Sequence, residues 1–431
     1  MDYREILDIL KKEPALTAWE MTRVRKTEHQ LYVTMGETES ERTVQSETVD
    51  LHLYLERMEK GEKVLGESRL SLGPQDDFKS RISRAAEMAG LVSNQPFALP
   101  GPGGSYLDVK TFDQELAADP KRALAAVHRE IEEALPEGQT LSCAEIVVTA
   151  ADLYFMNSLG LELDDKKTKI FADFVLLTGE GPEQEVESHG FKNGRMLKDL
   201  QIGEMVKEYG AFAVDTLSSR EPPTGTFDVV FSHEALDTFF SYFKAQAGGP
   251  AKHQGWSRFQ EGEPIVKDVR GDLLTLSSDP TLDGGMESGS FDADGLPLSR
   301  VDVIKAGIFQ RRTVDSRYGS YLELAPTGSF TNVVVAPGSR SFEELLKPEP
   351  LLHLLKFSVF EPRPVTGAFS GEIRVGYLLR DGKKIPLKGG SVSGVMDRAL
   401  EEIYFSQETE KREAYLGPRG VKVTGLKIAG E

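Results

Sequence analysis

Apolar residues change their spacing along this chain, and each change predicts an element. Over residues 2–13, Ile6, Leu7 and Leu10 share one side of a helical projection, which predicts a short amphipathic helix. From Thr22 to Leu72 the pattern becomes extended. Within it Val49-Asp-Leu-His-Leu-Tyr-Leu55 alternates with period two, as a strand with one buried face does. The turn Glu59-Lys-Gly-Glu-Lys63 joins that strand to Val64–Leu72 as a hairpin. Asp76 is expected to cap a helix carrying Phe78, Ile82, Ala85, Ala86 and Ala89. Leu124, Val127, Ile131 and Leu135 line another helical face, with His128 beside it, opened by Asp119-Pro120 and stopped by Pro136.

Breaks in these patterns set the organisation. Asn94-Gln-Pro-Phe-Ala-Leu-Pro-Gly-Pro-Gly-Gly-Ser105 is too rich in proline and glycine for a helix or a central strand, so it reads as a linker or loop. Residues 144–180 predict two strands around the turn Asn157-Ser-Leu-Gly160, and a helical segment follows at about 196–217. The polar stretch Ser218–Gly225 marks the main boundary, and beyond it glycine-rich turns separate short strands. The predicted fold class is α+β. Residues 1–218 form a mixed α/β half with a sub-boundary near 94–110, and residues 219–431 form a β-rich domain with helices near His233 and at Ser341–Leu346.

Composition narrows the classes. At 431 residues, 39% hydrophobic and 28% charged, the chain is a globular protein too long for one small core. A net charge of −18 argues against nucleic acid as a partner, whose phosphates require clustered Lys and Arg. No apolar run approaches the roughly 20 residues that span a bilayer, so no membrane association is expected. The N-terminal sequence mixes charge through its apolar positions, unlike a signal peptide, which predicts a cytoplasmic protein. Cys143 is the single cysteine, so no internal disulfide is available; it is expected to be a small buried residue beside Ile146-Val-Val148.

The candidate chemistry lies in Phe227-Asp-Val-Val-Phe-Ser-His233-Glu234-Ala-Leu-Asp237-Thr238. A strand-like run enters a His-Glu pair that opens a helix, as zinc peptidase sites do. A zincin places a second histidine one turn on, leaving the glutamate as general base, but Asp237 and Thr238 stand there instead. The plain alternative is a helix N-terminus at which Glu234 meets the positive end of the helix dipole. A rescued metal site would take His233 and Asp237 as ligands, a remote His253 or His353 as the third, and Glu234 as the base. The tract Asp279–Gly295 reads as a set of tight turns. No phosphate-binding loop, dinucleotide fingerprint or serine-nucleophile elbow occurs.

Taken together, these segments resemble the TldD/PmbA family, formerly described as modulators of DNA gyrase and now viewed as metallopeptidases. The resemblance rests on Asn157-Ser-Leu-Gly160, Phe227–Glu234, Asp279-Pro-Thr through Phe291-Asp-Ala-Asp-Gly-Leu-Pro297, Val303-Ile-Lys-Ala-Gly-Ile308, Thr366-Gly-Ala-Phe-Ser-Gly371, Gly376–Gly382 and Leu426-Lys-Ile-Ala-Gly430. In that family the TldD-like subunit carries His-Glu-x-x-x-His and a cysteine near the C-terminus as zinc ligands. Here His233 and Glu234 match, Thr238 replaces the second histidine, and residues 405–420 hold no cysteine. The resemblance therefore implies a PmbA/TldE-like subunit that binds no cofactor itself. It would pair with a zinc-bearing TldD-like partner, or with itself, around extended peptides. Two other readings stay open: a homodimeric peptidase with a degenerate His233/Asp237 site, and a peptide-binding dimer without catalysis.

Overall fold

The computed structural model describes residues 2–179 and 185–431; Met1 and Glu180, the last residue of the two-strand prediction, lie outside the described residues. A first helix, α1 (Tyr3–Lys12), starts at Asp2, whose carboxylate accepts the Arg4 amide, and buries Ile6 and Leu10. Six long strands follow around it: β1 (Ala18–Thr34), β2 (Glu37–Glu59), β3 (Glu62–Leu72), β4 (Gln139–Asn157), β5 (Glu162–Thr178) and β6 (Val186–Gly194). They form one antiparallel sheet in the order β3-β2-β1-β4-β5-β6.

One face of this sheet is apolar and carries the helices. Met21, Leu51, Leu53 and Leu72 pack with α1 and with α2 (Phe78–Ala89). Farther along, α3 (Gln114–Ala118), α4 (Pro120–Ala134) and α5 (Ile202–Leu217) cover Ile146, Val148, Ile170 and Phe174. The Asn157 turn is built as an Asx cap: its Oδ1 accepts the amides of Leu159 and Leu161, and its Nδ2 donates to Pro100 O in the linker.

Two local expectations are corrected. The cap of α2 is Asp77, whose carboxylate accepts the Ser80 amide at 3.0 Å; Asp76 instead accepts the Gly73 amide and Arg81. Cys143 is exposed. Ala144, Ile146 and Val148 face the core, so alternation puts the Cys143 thiol on the other side, and the register shift between Leu141 and Cys143 lets Leu141 face inward as well.

The second half begins with β7 (Gly225–Ser232), which leads directly into α6 (Glu234–Ala247). Phe239, Phe240, Tyr242 and Phe243 are all buried, so α6 is apolar around most of its circumference and runs through the main core. β7 lies between Leu351–Pro362, to which it is parallel, and Gly420–Ala429, to which it is antiparallel. The latter pairs with Ser391–Val395, which pairs with Ala368–Arg380, which returns to Leu351–Pro362. Five strands thus close on themselves, leaving no open edge among them.

Against α6 lies a third sheet, ordered Ile308–Phe309, Val301–Lys305, Leu276–Asp279, Asn332–Val335, Tyr415–Pro418 and Thr409–Arg412. Its outermost strand ends at Arg412, beside the N-terminus of α6. The Asp279–Gly295 tract is indeed turn structure between strands. No helix among the described residues is long and apolar enough to cross a membrane.

Candidate functional site

The junction of β7 and α6 is a sharp corner. His233 occupies it with φ 58° and ψ −139°, a backbone region that favours glycine. Holding histidine there costs about 1–3 kcal/mol, a strain that packing around the ring must offset. The ring is fixed at both nitrogens. Nε2 donates to Glu208 Oε1 of α5 at 2.7 Å, and Nδ1 accepts from Ser232 Oγ at 2.8 Å. Ser232, fully buried, in turn accepts from His353 Nε2 at 2.8 Å. Burial, then the neighbouring His233, pull His353 down to about 3, so its imidazole is neutral. Burial raises the Glu208 carboxyl, but the hydrogen bond from His233, with Arg412 and Arg419 nearby, outweighs it and leaves Glu208 below its usual range.

Glu234, next along the helix, accepts from the Tyr209 hydroxyl and lies 3.9 Å from Lys356 Nζ. Burial, then the carboxylate of Glu234, push Tyr209 far above its ordinary value, so it remains a donor. Asp237 sits one turn on. Its Oδ2 lies 3.8 Å from Arg412 Nε, whereas its Oδ1 is enclosed without a partner among the described residues. Burial raises Asp237 to about 7 although Arg412 pulls it back down. Arg412 also donates to Glu410 at 3.1 Å.

Glu208, Tyr209, Glu234, Asp237 and Arg412 border a cavity of about 660 Å³, lined by α5 and α6 and by Phe191 and Lys192 of β6. The structure therefore joins His233 to His353, through Ser232, but does not bring Asp237 to either. His253 ends a short helix elsewhere, against the rings of Tyr318 and Tyr321. Sequence reasoning missed Glu208, Ser232 and Arg412. Ser232 adjoins His233 and was open to notice; Glu208 and Arg412 arrive from distant elements and leave no local signal.

Residues 224–430 match the family model described as the PmbA/TldA metallopeptidase C-terminal domain. The C-terminal half of the chain is thus similar to the PmbA/TldD family. Among curated relatives, a metalloprotease of Methanothermobacter thermautotrophicus is 26% identical over 208 residues, 45% of either chain. The metalloprotease PmbA of Escherichia coli O157:H7 is 26% identical over 197 residues, 45% of this chain and 43% of that one. The match thus spans less than half the length of these relatives. The crystal structure of TldE from Thermococcus kodakarensis superposes with a TM-score of 0.81 over 99% of both chains at 18% identity, which shows a shared fold.

The zinc ion that similarity to the PmbA/TldD family suggests does not fit the donors of this chain. A metal needs a free imidazole lone pair and converging anionic ligands. His233 has both nitrogens engaged, Thr238 offers a neutral hydroxyl, and the Arg412 guanidinium sits on Asp237. Among the described residues no three His, Cys, Asp or Glu side chains are arranged to hold a metal.

Proposed function

We propose that this PmbA/TldD chain is a non-catalytic, PmbA/TldE-like subunit of a cytoplasmic zinc peptidase. It pairs with a TldD-like chain that carries the metal, and the two enclose extended, unfolded peptides. The observation that carries this reading is the commitment of His233 at both ring nitrogens, to Ser232 and Glu208, with Arg412 opposite Asp237. A guanidinium there supplies the positive charge that a metal would otherwise bring, and Glu234 is engaged by the Tyr209 hydroxyl with Lys356 Nζ 3.9 Å away. Peptide binding is supported by β6, the outer strand of its sheet, whose Phe191 and Lys192 border the cavity. Extended chains add to such edges through backbone hydrogen bonds.

The test is elemental analysis of the purified chain after dialysis against zinc, followed by co-purification with a TldD-like chain and a peptidase assay on an unfolded peptide. Near-zero zinc in the isolated chain and activity only in the pair are expected. One zinc per chain, lost in His233→Ala, would overturn the proposal in favour of a homodimeric peptidase.

A further inference from the structure

A second polar site lies far along the chain from His233, on the face of the first sheet that carries no helices. The strand register sets it out in rows: Glu20 opposite His52 opposite Arg69, and Thr22 opposite Asp50 opposite Ser71. The turn Asp292–Gly295 from the C-terminal half covers part of this face. Gly295 packs on Phe155, and its carbonyl accepts from Tyr106 OH at 2.9 Å. Between strands and turn is a cavity of about 430 Å³.

Glu20 is the informative residue. It is only 5% exposed and lines the cavity; Oε2 accepts from Tyr54 OH at 2.6 Å, while Oε1 is enclosed without a hydrogen-bond partner among the described residues. Leaving a buried carboxylate oxygen unmet costs about 1–3 kcal/mol or more. Native proteins do so where a ligand or water supplies the donor. Asp294 enters the same cavity from the turn, with Asp50 on its floor.

The cations around these carboxylates are already engaged, apart from one. His52 is held by Glu67 at 2.9 Å and by Tyr54 and lies 3.5 Å from Glu20 Oε2, and Arg317 grips Glu67 with two nitrogens. Arg69, at the far end of the Glu20 row, is exposed and has no carboxylate in ion-pair range among the described residues. Its Nε lies 3.5 Å from His52 Nε2, a nitrogen already turned to Glu67. Burial, then the charges of Glu20, Asp292 and Asp315, raise Asp294 to about 7, as expected in a pocket with excess negative charge.

We infer that this cavity binds a small peptide with free termini, its ammonium group between Glu20 and Asp294 and its carboxylate toward Arg69. The spacing selects the length. Two inter-strand steps separate Glu20 from Arg69, or about 10 Å between backbones, and an extended chain advances about 3.3–3.6 Å per residue. Two or three residues bridge that span, with the hydroxyls of Thr22 and Ser71 in the adjoining row. The site stands independently of the subunit role, since it uses none of the residues around His233.

The experiment is titration calorimetry of the full chain with trialanine, N-acetyl-trialanine and trialanine amide at pH 8. Saturable binding of trialanine is expected, weakened about tenfold or more by acetylation. Glu20→Gln and Asp294→Asn, each checked for cooperative unfolding, should lose affinity for trialanine to a similar extent. Arg69→Gln should weaken trialanine but leave its amide unchanged. No saturable heat up to about 10 mM, a weaker limit than any useful affinity, would overturn the inference. So would equal affinity for the acetylated peptide, or wild-type affinity in both folded carboxyl variants. Binding that survives Glu20→Gln but disappears in Asp237→Asn would place the peptide in the other cavity and equally refute the assignment.

Discussion

Arg412 holds its Nε 3.8 Å from Oδ2 of Asp237, joining the outermost strand of one sheet to the first turn of the central helix. The pair is an ion pair without a direct hydrogen bond. Arg412→Gln would leave Asp237 and Glu410 unopposed. Because the Asp237 side chain is 38% exposed, the expected loss is discounted to about 1–3 kcal/mol from the range for fully buried pairs. Urea denaturation at pH 8 measures it. The loss should shrink at pH 5, where Asp237, raised to about 7 by burial, is protonated; equal losses at both pH values would contradict the pairing.

His233 and Glu234 make a prediction about rate. In a reconstituted pair with a TldD-like chain, His233→Ala and Glu234→Ala should leave peptidase activity within about tenfold of wild type, or 1.4 kcal/mol of barrier. His233→Ala should still destabilise this chain by about 1–2 kcal/mol, since Glu208 and Ser232 lose their partner. A larger activity loss with normal stability would make the histidine a working residue.

Restoring the missing histidine should not restore a metal site. In Thr238→His the new imidazole would join a helix whose His233 remains bound to Glu208 and Ser232 and whose Asp237 remains beside Arg412. Competition with a chelating dye should show no zinc affinity tighter than micromolar. Nanomolar binding would mean that those hydrogen bonds yield easily.

Asp294 gives stability a measurable pH dependence. Burial raises its carboxyl to about 7, so the folded chain binds that proton more tightly than the unfolded one. The associated stability is fully present below the unfolded value of about 4 and is lost as pH rises through about 7. Wild type should therefore gain on Asp294→Asn at pH 5 relative to pH 8, by on the order of 1–2 kcal/mol. Paired denaturation curves at the two pH values test the sign.

Gly295 seats the turn that carries Asp294. Its φ is +81°, and a Cβ there would meet Phe155 Cε1 at 2.5 Å. Gly295→Ala should cost about 2 kcal/mol or more, through backbone strain and overpacking together. A melting temperature unchanged within about one degree would show that the turn is not clamped against the sheet.

Much of this architecture was readable from local pattern. The alternation of Val49–Leu55, the face of Leu124, Val127 and Ile131, and the corner before Glu234 each depend on neighbours a few residues apart. Errors arose where a one-residue shift decides the outcome. Asp77 caps where Asp76 was expected, and Cys143 falls on the exposed side of its strand because alternation assigns it there. The composition of the sites was hidden for a different reason. Glu208, Arg412, and the row of Glu20, His52 and Arg69 meet only through tertiary register, which no local period encodes.

The closed ring of five strands also imposes an order on synthesis. β7, which ends at Ser232, finds one neighbour at Leu351–Leu354 and the other at Gly420–Ile428. While the nascent chain leaves the ribosome, the strand leading to His233 therefore carries two bare edges for more than a hundred residues of elongation. In the first sheet β1 has β2 beside it at once, and only its other edge waits for β4. Non-local pairing of this kind is slow and prone to wrong partners. The corner at His233 is thus among the last parts of the molecule to take shape, and chaperones acting on newly made chains would meet it as exposed strand.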